Sequence, residues 1–325
     1  MNSAVDYRRG IFQSSQVRRF VRWLDATAHP PLACEISPGQ IAAVRFTGAG
    51  GVDSFAVENI PSGAIVPSAV EANILQAGAV RTAMSSVFRQ LRAQDVDVAL
   101  LLPDPVIRVF VQQFDEFPSS PQDAIPMLRW KLKKSVPFET EDTQVSYMRQ
   151  APRESGVDVV TALARLRIVR EYEALAEAIG LVPGVVLSSS LAVLSLLEHE
   201  GPTLMARVSA TSLTTAIVRQ GILCGYRCTE LPVDSSLLTP GGLLEEVFPV
   251  AAYYQDTWQE SIQAVRLSGL GHRLEEFSGP FEDEFHCPVR GLLSAAVSEG
   301  RIRGDARPLA ERELDGLVGW MLQRG

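Results

Sequence analysis

Three short apolar runs joined by tight turns occur twice in this chain, and that repetition restricts the fold more than any single motif does. The first set is 32–36, 41–46 and 52–60, with turns at Ser37-Pro38-Gly39 and at the glycine tract 48–51. The second is 203–208, 213–218 and 222–228, with a turn at Arg219-Gln220-Gly221. Runs of this length bounded by turn residues read as antiparallel meanders. Each is followed by helical spacing and then a buried strand. After the first come one or two helices over 70–93, with Leu75, Val80, Met84, Val87, Phe88 and Leu91 as core candidates, and a strand at 96–102. After the second come a helical segment over 236–260 and a strand at 264–268. A meander, helix and strand appearing twice is an internal repeat of α/β layers.

Between the copies lies a block that alternates differently. A strand at 106–114 leads to a helix over 121–135, with Ile125, Leu128 and Leu132 on one face. Strands near Tyr147 and at 158–164 follow, then a helix over 169–179 that ends at Gly180. This reads as an inserted subdomain of about 104–181. A strand at 182–187 returns to the first unit, and Ser188-Ser189-Ser190 offers hydroxyls to cap a helix over 191–198. The expected division is 1–30, 31–200 with the insertion, and 201–325. The last part adds the turn Gly269-Leu270-Gly271 into a helix at 273–277, a strand or loop at 288–293, and a final helix at 315–323.

At 325 residues, 46% hydrophobic and 21% charged, the chain has the composition of a soluble globular protein. Its net charge of −8 argues against general nucleic-acid binding, which needs a positive surface. No apolar run reaches the ~18 residues of a membrane span. The first thirty residues lack a secretory pattern, so a cytoplasmic location and reduced cysteines are expected. Residues 8–24 combine Arg8, Arg9, Arg18, Arg19 and Arg22 with Val17, Phe20, Val21 and Leu24 at helical spacing. They suit either a helix docked on the core or a basic amphipathic helix on an anionic membrane.

Conventional reaction centres are missing from the pattern. Cys224 and Cys228, with His286 and Cys287, invite a zinc reading. On one strand, however, the first two would stand about 13 Å apart, too far for one ion. The four histidines, His29, His199, His272 and His286, show no metal spacing. The 48–51 tract lacks the Gly-Lys-Ser/Thr ending of a phosphate loop.

The stretch RWKLKKSVPFETEDTQVSYM, from Arg129 to Met148, has a sharper character. Lys131, Lys133 and Lys134 suit a helix C-terminus, Pro137 stops the helix, and Glu139, Glu141 and Asp142 form an acidic turn. With LLPDPVIRVFVQQF before it, and with EYEALAEAIGLVPGVVLSSSLAVLSLL at 171–197 and 266–274 later, this order resembles the PilM family. These are actin-like cytoplasmic proteins of type IV pilus assembly, more distantly similar to the division protein FtsA. The resemblance spans about 32–325.

It implies a duplicated ribonuclease-H-like, actin-like ATPase fold flanking a nucleotide cleft, with an inserted α+β subdomain. Relatives place phosphates and magnesium against two Asp-x-Gly turns. Matched residue by residue, this chain has Glu35 and Ser37 in the first turn, with Ala42 where a Lys is usual. In the second it has Arg207 and Ser209, with Leu213 where a Thr is usual. The glycine pair near adenosine persists as Gly269 and Gly271. Residues 229–262 are short against the relatives' helical subdomain. The resemblance therefore implies a degenerate cleft and no required cofactor, with ATP and magnesium binding, or hydrolysis, as the alternative. It also implies a scaffold peripheral to the inner membrane, holding the tail of a PilN-like protein in a groove beside the inserted subdomain. Leu128, Lys131, Leu132, Val136 and Phe138 are the candidate contacts, though the apolar ones would equally make that subdomain's core. An FtsA-like membrane tether through residues 8–24 is the other alternative.

Overall fold

The structure, a computed structural model, describes residues 29–323 except 49, 95, 153–155, 198–200 and 232–234. The expectations for residues 1–28 therefore lie outside the described residues. The first meander forms β1 (Leu32–Ile36), β2 (Gln40–Phe46) and β3 (Val52–Asn59), each antiparallel to the next. β4 (Asp97–Leu102) joins β1 in parallel, and β8 (Val182–Ser188) joins β4 in parallel. All five residues of β1 are buried, because both faces of the parallel centre are covered and alternation is lost.

The second sheet repeats this order and these directions. β9 (Thr203–Val208), β10 (Ser212–Arg219) and β11 (Ile222–Glu230) form its meander, and β12 (Ala264–Ser268) and β13 (Val289–Gly291) add in parallel. The strand orders are β3-β2-β1-β4-β8 and β11-β10-β9-β12-β13. This is the duplicated α/β arrangement that the repeated meander predicts.

Between β4 and β8 the chain builds a third, three-stranded sheet. Its strands are β5 (Arg108–Phe114), β6 (Thr143–Pro152) and β7 (Val157–Arg165), in the order β5-β7-β6 and all antiparallel. Helix α2 (Pro121–Leu132) packs on it around Phe114, Leu128, Leu132, Val145, Val159 and Leu163. Ser120 caps α2 by accepting from the Gln122 amide at 3.1 Å, and Pro121 occupies the first turn. The remaining helices are α1 (Ala77–Gln90), α3 (Leu166–Glu177), α4 (Ser189–Val193), α5 (Pro240–Trp258), α6 (Leu274–Phe285), α7 (Leu292–Ser298), α8 (Arg307–Glu311) and α9 (Asp315–Gln323).

α9, from the end of the chain, crosses back to pack on α4 and β1. Gly319 makes that crossing close: a Cβ there would stand 2.4 Å from the Ala192 carbonyl oxygen. One core consequently runs from the first sheet through α4 and α9 to Met205, Ala216, Val218 and Leu223 of the second. α5 and α6 enclose a separate core on the second sheet's other face.

Several boundaries differ from expectation. Residues 70–76 are not helical, and Leu75 is exposed rather than in the core. Asn73 organises that loop: its amide nitrogen donates to the carbonyls of Ser68 and Glu71, and its backbone amide donates to Glu171. Such local bonds compete with a helix. Strand β5 begins at Arg108, because Asp104–Val106 forms a 3-10 turn. α2 ends at Leu132, three residues short of the expected 135. α6 runs to Phe285 despite Pro280, and α7 and α8 were not visible in the sequence pattern.

Candidate functional site

Sheets of this kind place ligands beyond the carboxyl ends of their parallel strands. Five strand ends converge here, from β1, β4 and β8 of one sheet and β9 and β12 of the other. They bring Glu35, Asp104, Ser188, Arg207 and Ser268 together, and the start of α9 adds Asp315.

Arg207 stands at the centre. Its Nε donates to Asp315 Oδ2 at 2.9 Å and one terminal nitrogen to Asp315 Oδ1 at 2.8 Å, a two-pronged pair. The same nitrogen donates to Glu35 Oε1 at 2.9 Å and to Ser189 Oγ at 3.1 Å. The other terminal nitrogen lies 3.4 Å from Asp104 Oδ2. The carboxylates are held in turn from behind. Asp104 accepts from the Ser188 hydroxyl at 2.5 Å, the Thr214 hydroxyl at 2.8 Å, the Ser190 amide at 2.9 Å and the Ser190 hydroxyl. Asp315 accepts from the Ser268 hydroxyl at 2.6 Å and the Gly316 amide at 2.8 Å, and Ser189 donates to Glu35. Gly316 permits this packing, since a Cβ there would come 2.5 Å from Glu35 Oε1.

Three carboxyl groups thus face one guanidinium, all four side chains nearly buried. Burial raises the Glu35 pKa above 4.5, with Asp315 and Asp104 adding to the rise against the opposing pull of Arg207. Glu35 Oε2 has no hydrogen-bond partner among the described residues. Burial also opposes ionisation of Asp315, but the charge and hydrogen bonds of Arg207, helped by Ser268 and Gly316, hold its pKa below 3.8. Burial disfavours the Arg207 charge as well, and the acids around it more than restore it.

The serines of 188–190 do not cap α4 as expected: Ser188 makes no capping bond, and Asp104 satisfies the Ser190 amide from across the site. Of the expected cleft residues, Glu35 and Arg207 meet directly. Ser37 and Ser209 close their own turns instead, onto Gln40 and Ser212. Gly269 adopts φ +77°, and a Cβ there would stand 1.8 Å from the Val208 carbonyl oxygen. Gly271 lines a cavity of about 170 Å³ with Ser268, Leu270 and Glu313, below the ~300 Å³ at which ligand pockets usually begin. Asp104 and Asp315 escaped the sequence reading. Their signals were an aspartate between two prolines after a buried strand, and one opening an apolar helix.

This donor set does not fit a magnesium nucleotide. A magnesium ion needs carboxylate oxygens that are free to bind it, and the guanidinium occupies the position they face. An arginine can pair with phosphate but not with the metal. Among the described residues no group of His, Cys, Asp and Glu could hold a metal ion, and the four cysteines are free thiols.

The candidate partner residues separate by burial. Leu128 and Leu132 are fully buried in the small core. Val136 is also buried, while Phe138 is half-buried with the Arg165 guanidinium over its ring. Lys131 lies over the Phe114 ring at 3.7 Å and donates to the Gln113 carbonyl. Lys133 bridges Glu139 at 3.2 Å and Glu141 at 3.5 Å, joining the basic helix end to the acidic turn. Trp130, which the sequence reading passed over, is 80% exposed on the outer face of α2.

No family model matches the chain, and no curated protein matches it in sequence. Among solved structures it is similar to the PilM-PilN type IV pilus biogenesis complex, at TM-score 0.67 and 18% identity over 90% of this chain and 97% of that one. It is also similar to a Bacteroides thetaiotaomicron protein of actin-like ATPase fold and unknown function, at TM-score 0.50 and 9% identity over 93% and 99%. With its two sheets of one order and its third sheet between them, the chain has the actin-like ATPase fold, in the form shared with PilM.

Proposed function

We propose that this chain is a non-catalytic, PilM-like scaffold of a type IV pilus or related secretion assembly, working at the cytoplasmic face of the inner membrane. The carrying observation is Arg207, which fills the cleft between the two sheets and pairs with acids from both sides of it. In an actin-like enzyme the metal and phosphates would join the halves there. A buried guanidinium bonded to three carboxyl groups performs that joining permanently and leaves no place for phosphoryl chemistry.

Function then rests on binding. By likeness to a complex that contains PilN, the partner is the cytoplasmic tail of a PilN-like membrane protein. In the 129–148 stretch Trp130 is exposed and Phe138 half-buried, so such a segment can reach both. Among the described residues no helix is long and apolar enough to cross a membrane. The test is fluorescence anisotropy with the labelled N-terminal tail of a PilN-like protein from the same organism. The full chain should bind saturably, and W130A with F138A should weaken binding about tenfold or more, as loss of aromatic anchors does. Absence of binding by the folded parent protein would refute the partner assignment.

A further inference from the structure

The second sheet carries an exposed apolar face that the proposed scaffold role does not use. α5 buries Leu243, Val247, Val250, Ala251 and Tyr254 on its inner side. On its outer side Phe248 is 49% and Tyr253 65% exposed, and Leu237, just before the helix, is 70% exposed. At 100° per residue Phe248 and Tyr253 flank a strip that holds Glu245, Pro249, Ala252 and Asp256. Two carboxylates between two aromatic side chains suit a basic amphipathic segment, with its apolar side on the rings and its guanidinium groups on the acids.

The chain contains such a segment. Residues 1–28 hold five arginines against Asp6 and Asp25, a net charge of +3, so the remainder of this −8 chain carries −11. Ile11, Phe12, Val17, Phe20, Val21 and Leu24 supply the apolar side at helical spacing. We propose that residues 8–24 of one copy dock on the outer face of α5 of a neighbouring copy. The direction follows from where the segment joins the fold. The His29 ring packs edge-on against Trp320 of α9 at 5.7 Å, and Pro30 stands beside Gly184 of β8. Both lie with the first sheet, whereas α5 packs on β10 and β11 of the second. The contact joins two different surfaces, so it can repeat from copy to copy or be exchanged reciprocally within a pair.

Photo-crosslinking of the full chain carrying Tyr253→p-benzoylphenylalanine tests this, using an equal mixture of light and heavy isotope-labelled protein. The expected result is a crosslink from position 253 to residues 8–24 in mixed-isotope pairs. Its yield should fall about tenfold in R18E/R19E/R22E, because the side chains that would face Glu245 and Asp256 turn from cations into acids. It should also fall as salt rises above about 0.1 M. The same probe replacing the exposed Trp130 should give no such product. Crosslinks confined to one copy, crosslinks from 253 to 253, capture of lipid by position 253 when anionic vesicles are present, or no crosslink in protein with an unchanged circular dichroism spectrum would each overturn the proposal.

Discussion

Arg207 compensates three buried acids, and its removal would leave them facing one another without a cation. Breaking a buried pair in this way typically costs about 3–5 kcal/mol, so Arg207→Ala should lower the urea unfolding free energy by that order. Arg207→Lys should recover only part of it, because an ammonium cannot make the two-pronged contact with Asp315. The acids also fix the pH response. Glu35 has a folded pKa raised above 4.5, so its contribution to stability is full below 4.5 and is lost as pH rises through the raised value. Glu35→Gln removes that titration. Its unfolding free energy relative to the parent should therefore improve as pH climbs above 4.5, and a pH-independent difference would contradict the assignment. Asp315 behaves oppositely: its contribution is full above 3.8 and is lost as pH falls through the depressed value. At this scale the sequence was half legible. Glu35 and Arg207 could be placed by matching turn to turn, but Asp104 and Asp315 lie 69 and 280 residues from Glu35, and only the folded topology brings them together.

At the scale of elements, strands were more readable than helices, since turn residues bound each strand of both meanders. The exceptions have local causes. Asn73 holds 70–76 out of the helical state through its own side-chain bonds. α7 and α8 are too short for their spacing to stand out. The crossing of α9 over α4 depends on a glycine no sequence pattern singles out. A methyl group at Gly319 would meet the Ala192 backbone oxygen at 2.4 Å, so Gly319→Ala should destabilise by about 1–3 kcal/mol through overpacking. Gly78 in α1 is the internal comparison. A Cβ there meets nothing within 4 Å, and Gly78→Ala should stabilise by about 0.4–1 kcal/mol. Chemical denaturation of both variants checks the pair, and equal effects would show that the close crossing is misplaced.

Over the whole molecule, side-chain bridges join the halves. Arg207 makes one set, and Thr214 adds its bond to Asp104. Gln150 of β6 makes another: its side-chain amide donates to the Leu223 carbonyl and accepts from the Leu223 amide, both at 2.8 Å. The inserted sheet is thereby tied to the edge strand β11 of the second sheet. Gln150→Ala should speed amide exchange at Leu223 while leaving β9 protected, which hydrogen-exchange mass spectrometry would resolve. The duplicated order of strands was foreseeable from the repeated meander, whereas these bridges were not, because each links side chains far apart in sequence.

The central claim is that the molecule's own arginine holds the cleft in place of a nucleotide. Calorimetric titration of the parent protein with magnesium and ATP tests it most directly. The structure predicts no saturable, magnesium-dependent heat up to millimolar ATP. Micromolar binding that requires magnesium would contradict the account, because it would need the Arg207 guanidinium to leave the acids that surround it.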